Sequence, residues 1–303
     1  MYKDIRVAVV GSINMDLILN MQKVPQLGEN VLGTDYGYAN GGKGANQATA
    51  LSNLGAEVRM IGKVADDENG KALLENLKNR GIDISGIDTT GSQTGLAVII
   101  LDGEGRNRIV VYEGANAEID ADKAVQKLLD YKPDLLLIQF ETAEDVVIKC
   151  VNEAITNNIT TVIDCGPAKA FSLEKMQGAH IISPNESETE ALTGIYPHND
   201  ESILEASKIL KERSKARFVV LKLGSRGCAL WDGEELKILP PYKTNVVDTT
   251  AAGDCFTAAM ALEFFKNGDI IKACDMGNKA GAIAVSRMGA QSSMPTIDEI
   301  LSI

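Results

Sequence analysis

Residues 134–165 read DLLLIQFETAEDVVIKCVNEAITNNITTVIDC. The runs 135–138 and 161–163 are short and made of apolar or β-branched residues, the content of strands buried on both faces. Between them, 143–157 has the period and length of a helix. The same alternation extends outward in both directions: runs 7–10, 58–61, 181–182 and 218–223 read as strands, and 45–54, 70–78 and 203–213 as helices. Repeated strand–helix alternation predicts an α/β fold, a mostly parallel sheet with helices on both faces.

Two stretches break the pattern. Residues 17–38 and 95–112 read as antiparallel ribbon, the second turning at Asp102-Gly103-Glu104-Gly105. They predict a small β lid, over about 14–40 and 95–113, beside the main sheet. Val98 to Leu101 and Ile109 to Val111 put apolar side chains on both faces of a hairpin, which is unstable alone in water. The lid is therefore expected both to cover a ligand and to meet a second subunit in a homodimer. No composition break or internal repeat divides the chain, so 1–303 is expected to form a single α/β domain.

Composition sets limits on partners. With 42 acidic against 30 basic side chains, the net charge of −12 argues against a broad nucleic-acid surface. Anionic ligands must then bind where backbone N–H groups or a metal ion reverse the local field. The five cysteines are widely spaced with no C-x-x-C pair, and read as reduced core residues. Neither a leader pattern nor an apolar run of membrane-spanning length is present, so a cytoplasmic, membrane-free protein is expected. The G-x-x-x-x-G-K-[ST], G-x-G-x-x-G and H-E-x-x-H engines are missing, and the two histidines, His180 and His198, receive no role.

Chemistry concentrates in glycine-rich segments. Asp248-Thr249-Thr250-Ala251-Ala252-Gly253-Asp254 leads into a helix expected over 257–266. Its small residues let the backbone approach a ligand, and free N–H groups of Ala252, Gly253 and Asp254 would face an anion. A carboxylate there suits a base that takes a proton from an attacking hydroxyl; the other reading of Asp254 is a helix cap. Asn14, Asp16, Lys43 and Asn46 follow the first strand or open a helix and suit a polyhydroxylated ligand, or else serve turns and caps. Asn185 and Glu188 are spaced as a capping box and equally as a pair that holds the water shell of Mg2+. Gly224 to Gly227 also read as a turn opening a hairpin over 228–239.

Taken in order, G-G-K-G-A-N-Q at 41–47, N-E-x-E at 185–188, L-G-S-R-G at 223–227 and D-T-x-A-A-G-D at 248–254 resemble the ribokinase family of carbohydrate kinases, over nearly the whole chain. Residues 113–117 and 287–291 carry the same resemblance. It implies transfer of the γ-phosphate of ATP to a sugar, foremost the 5-hydroxyl of D-ribose. Deoxyribose, fructose or nucleoside kinases on this scaffold, or a non-catalytic sugar sensor, are the alternatives. It further implies Asp254 as base with Ala251, Ala252 and Gly253 as anion hole, and Asn14, Asp16, Gly42, Lys43, Gly44, Ala45, Asn46 and Glu141 around the sugar. Asn185 and Glu188 would serve the Mg2+–phosphate region, while Lys222, Leu223, Gly224, Ser225, Arg226, Gly227 and Asn278 line the nucleotide pocket. A potassium ion would sit among Asp248, Thr250, Ala284, Arg287, Gly289 and Ser293, mostly on carbonyl oxygens. One stretch departs: where such kinases commonly read Asn-Pro-Ala-Pro-Ala, this chain has Asp164-Cys165-Gly166-Pro167-Ala168, with an added carboxylate near the phosphate path. Met15 is also bulky between Asn14 and Asp16.

Overall fold

The computed structural model describes residues 1–104 and 106–303. In chain order the first half holds β1 (Arg6–Val10), β2 (Asn14–Met21), β3 (Gly33–Gly41), α1 (Lys43–Asn53), β4 (Glu57–Ala65), α2 (Glu68–Asn79), β5 (Asp83–Thr90), β6 (Gly95–Leu101), β7 (Asn107–Tyr112) and α3 (Ala121–Tyr131). The second half holds β8 (Leu135–Gln139), α4 (Glu144–Thr156), β9 (Thr160–Asp164), β10 (Ile181–Ser183), α5 (Glu186–Thr193) and α6 (Asp200–Ser214). After these come β11 (Phe218–Lys222), β12 (Cys228–Trp231), β13 (Leu236–Leu239), α7 (Ala252–Asn267), α8 (Ile270–Val285) and α9 (Ile297–Leu301).

Nine strands form the central sheet in the order β13-β12-β11-β10-β9-β8-β1-β4-β5. From β11 to β5 every pairing is parallel, and the hairpin β12–β13 closes one edge antiparallel. Alternate residues of a strand point to opposite faces, and the two cores follow that rule. Val7, Val9, Leu135 and Leu137 join α1, α2, α7 and α8 on one face. Ala8, Val10, Leu136 and Ile138 join α3, α4 and α6 on the other. Burial on both faces is why these strands read as unbroken apolar runs. Helix α7 is buried continuously from Asp254 to Phe264, and each large side chain such as Met260 or Leu262 contributes about 1.5–3 kcal/mol by leaving water. No helix among the described residues is long and apolar enough to cross a membrane.

The lid is a second sheet, ordered β3-β2-β6-β7. Its hairpins β2–β3 and β6–β7 are antiparallel, as the sequence suggested, but β2 and β6 meet along a parallel seam that local reading does not reveal. Edge strand β7 is exposed throughout, leaving Ile109, Val110, Val111 and Tyr112 bare, together with Tyr36 and Tyr38 on β3. The polar turn after Leu101 runs to Gly105, which lies outside the described residues.

One boundary differs with consequence. Helix α7 starts at Ala252, five residues before the expected 257, because Ala251 adopts a left-handed backbone (φ 58°) that turns the chain directly into the helix. The five cysteines are all free and buried.

Candidate active site

The carboxyl ends of the parallel strands, where open α/β sheets bind ligands, gather the chemistry. Ser12 and Asn14 follow β1, Glu141 follows β8, Asp164 and Lys222 end β9 and β11, and the N-termini of α1 and α7 close the cleft. The early start of α7 places Asp254 in its first turn. Its cap is Ala251 and no side chain caps it, which corrects the reading of Asp254 as a helix cap. The carboxylate instead faces α1, accepting from Asn46 Nδ2 at 3.0 Å, Gln47 Nε2 at 3.1 Å and Lys43 Nζ at 3.4 Å. Ala252 spends its N–H on the Thr249 carbonyl at 3.3 Å, so the expected trio of free donors reduces to Gly253 and Asp254.

The residues expected around a sugar converge from the lid and α1. Asn14 Oδ1 accepts from Asn116 Nδ2 at 2.7 Å, and Asn116 also accepts from Ile13 N at 2.9 Å, fixing the chain between sheet and lid. Glu141 accepts from the hydroxyl of Ser12 and from Lys43 N. Asp16 lies beside Gly41, where a Cβ would come within 2.2 Å of Asp16 Oδ2, so any larger residue would displace the carboxylate. Burial, then the charges of Glu141 and Asp254, push the Asp16 carboxyl up to about 7. Gly42 opens α1 at φ 87°, and a Cβ there would meet Asn14 N at 2.7 Å. Gly44 and Ala45 are buried, and Ala45 N donates to Ser12 O, tying α1 to the end of β1. Met15 is buried in the core of the α1 face.

Beneath these lies a buried polar network that sequence reading found only in part. Asp164, fully buried, accepts from Lys222 Nζ at 2.9 Å, Gln47 Nε2 at 3.0 Å, Thr257 Oγ1 at 3.1 Å and Gly166 N at 3.1 Å, with Lys43 Nζ 4.0 Å away. Gln47 thus bridges Asp164 and Asp254, and Gln139 donates to its oxygen at 2.5 Å. Burial alone would lower the Lys43 ammonium, but Asp164, Asp254 and Glu188 reverse this and hold it raised. Lys222 is raised for the same reason, by Asp164 and Glu188 against its burial. Burial would raise Asp164; Lys222 and Lys43 bring it below the usual range. Glu188 stays raised, burial prevailing. Gln47, Thr257 and Gln139 were missed. Gln47 had a visible signal, its place in the 41–47 motif; the others become visible only when β8, β9 and α7 meet.

Asn185 and Glu188 form a complete capping box on α5. Both Glu188 oxygens are engaged, with Asn185 N at 2.7 Å and Asn185 Nδ2 at 2.9 Å. Among the described residues no group of three or more His, Cys, Asp or Glu gathers to hold a metal ion. The pair therefore fits Mg2+ only through a water shell, the mode in which this ion usually meets carboxylates and phosphates. Gly224, Ser225 and Arg226 make one 3-10 turn, with Leu223 N bonded to Gly227 O. Arg226 is held by Glu186 at 2.7 Å, away from solvent freedom, and Asn278 Nδ2 donates to the Pro240 carbonyl at 3.1 Å. Asp248 accepts from Thr250 N at 2.9 Å and Gly289 N at 2.8 Å, drawing the two halves of the candidate potassium loop together. Burial would raise the Asp248 carboxyl, but its bonds to Thr250 and Gly289 lower it. The carbonyl of Ala284 already accepts from Arg287 N, Arg287 pairs with Glu299 at 2.5 Å, and Ser293 is buried on Ala290 O.

A cleft that pairs free helix N–H groups with a carboxylate and two lysines is suited to moving an anionic group onto a hydroxyl, the work of a small-molecule phosphotransferase. The model of the pfkB family carbohydrate kinases matches residues 4–297. The chain belongs to that family. It is 36% identical over 296 residues to the ribokinase of Bacillus subtilis, covering 97% of each chain. Among solved structures, the ribokinase of Thermotoga maritima superposes with a TM-score of 0.88 at 31% identity, covering 98% of both chains. An Arabidopsis thaliana ribokinase complexed with ribose and ATP also gives 0.88, at 28% identity over 100% of this chain and 98% of that one.

Proposed function

We propose that this protein is an ATP-dependent sugar kinase that transfers the γ-phosphate of ATP to the 5-hydroxyl of D-ribose. The observation that carries this reading is the orientation of Asp254: a buried carboxylate in the first turn of α7, beside free N–H groups, turned by Asn46, Gln47 and Lys43 toward the cleft under the lid. Asp254 takes the proton of the acceptor hydroxyl, while the N–H groups of Gly253 and Asp254, with Ala251 and Ala252 shaping the turn, receive the phosphoryl oxygens. Asn14, Asp16, Gly42, Asn46 and Glu141 hold the sugar hydroxyls, Lys43 lies between sugar and phosphate, and the 222–227 turn with Asn278 borders the nucleotide. The similarity to ribokinases over full length supports ribose as acceptor.

Asn185 and Glu188 would hold Mg2+ through its water shell, and the ion would supply positive charge beside the phosphates. Asp248, Thr250, Ala284, Arg287, Gly289 and Ser293 would hold potassium, whose charge would order their loop beside the anion hole. The bare apolar face of β7 pairs two lids into a homodimer, since an apolar edge strand left open invites aggregation. The test is ADP release from Mg-ATP with a panel of sugars. Ribose should give the highest kcat/KM; activity on fructose, deoxyribose or adenosine about tenfold above ribose would reject the assignment.

A further inference from the structure

The departure at Asp164 has a partner. Asp164 and Lys222 stand at the carboxyl ends of β9 and β11 with β10 between them, and their side chains, 0% and 9% exposed, meet at 2.9 Å. A buried ion pair is a poor device for stability, since desolvating both charges offsets most of their attraction. Its placement is the more informative feature. Of the three N–H donors on the Lys222 ammonium, Asp164 engages one well, while Thr257 Oγ1 stands at 3.5 Å and Glu188 at 4.0 Å. The same ammonium is 3.8 Å from where a side chain on Gly253 would begin, which puts it beside the first turn of α7. Lys43 stands on the other side of Asp164 and reaches Asp254 at 3.4 Å. The transfer path therefore runs between two cations, one by the base and one by the anion hole.

We propose that Lys222 is a catalytic residue of the transfer, resting on Asp164 in the free protein and donating to the transferring phosphoryl group at the N-terminus of α7. This rests on the kinase reading of the same cleft. In the step, the acceptor oxygen forms its bond to phosphorus, the bond from phosphorus to the bridging oxygen breaks with its electron pair leaving on ADP, and the hydroxyl proton passes to Asp254. Lys222 keeps its protons and acts by charge and hydrogen bonding, which matter most where charge builds on the phosphoryl oxygens.

The experiment compares the intact parent, Lys222→Met, Asp164→Asn and the double variant by kcat and by calorimetric affinity for ADP and for an imido analogue of ATP. Lys222→Met should lose roughly 10²-fold or more in kcat, and its preference for the ATP analogue over ADP should fall about tenfold. The double variant removes both charges of the Asp164–Lys222 pair, so most of the folding loss should recover, yet kcat and the lost preference should not. A double variant within about threefold of the parent in kcat, or with the parent's preference intact, overturns the proposal and leaves Lys222 as a neutraliser of Asp164. A parent that binds neither nucleotide overturns the kinase reading and this proposal with it.

Discussion

Substituting Asn for Asp254 keeps the size of the side chain and removes its charge and its capacity to take a proton. The surroundings determine what else is lost. Three donors converge on the carboxylate, from Asn46, Gln47 and Lys43, and an amide must turn its own N–H groups toward one of them. Neither neighbouring amide can flip to compensate without cost, because Asn46 Oδ1 already accepts from Gln291 and Gln47 Oε1 from Gln139. One mismatched buried contact costs about 1–3 kcal/mol of stability, tolerable in a domain with a core on each face of its sheet. The catalytic loss should be larger. Removing a general base slows a reaction by ~10²–10⁴-fold, or about 3–5 kcal/mol in the barrier. Coupled ADP release with ribose gives kcat, circular dichroism monitors folding, and calorimetry with ADP should show nucleotide binding little changed. A folded Asp254→Asn protein turning over within about threefold of the parent would refute the assignment and return attention to Asp16 or Glu141.

Asp16, raised from 3.8 to about 7, keeps a proton in the folded state that the unfolded chain gives up, so its contribution to stability is complete below 3.8 and lost as pH rises through 7. Urea unfolding of the parent should show that decline between about pH 4 and 7, Asp16→Asn should abolish it, and an identical slope in both would exclude the effect. The same variant should raise the ribose KM by about tenfold or more, since an amide cannot accept hydroxyl hydrogen bonds with both of its terminal atoms. Potassium should raise kcat/KM, and the gain should vanish in Asp248→Ala; equal rates in potassium and a bulky organic cation at matched ionic strength would refute the loop's role. Light scattering at micromolar concentration should give a dimer that Val110→Asp dissociates, and a monomeric parent would dispose of the lid interface.

How much of this was legible in the chain depends on the range of the interaction. The parallel sheet could be read because buried strands must be continuously apolar and their helices amphipathic, signals carried by neighbours in sequence. The glycine-rich motifs could be read because close backbone approach tolerates little else, as Gly41 against Asp16 and Gly42 against Asn14 illustrate. Local pattern misplaced the start of α7, because one left-handed residue, Ala251, decides it and no periodicity announces a single backbone angle. The parallel seam between β2 and β6 likewise depends on strands about 80 residues apart finding each other, which loop closure and lid packing settle rather than either hairpin alone. Most of all, the sequence by itself presented Asp164 as an unexplained extra charge. Only tertiary structure, by bringing the ends of β9 and β11 and the first turns of α1 and α7 to one point, gave that charge its partners, since a carboxylate without nearby cations and donors could not stay ionised in so dry a place.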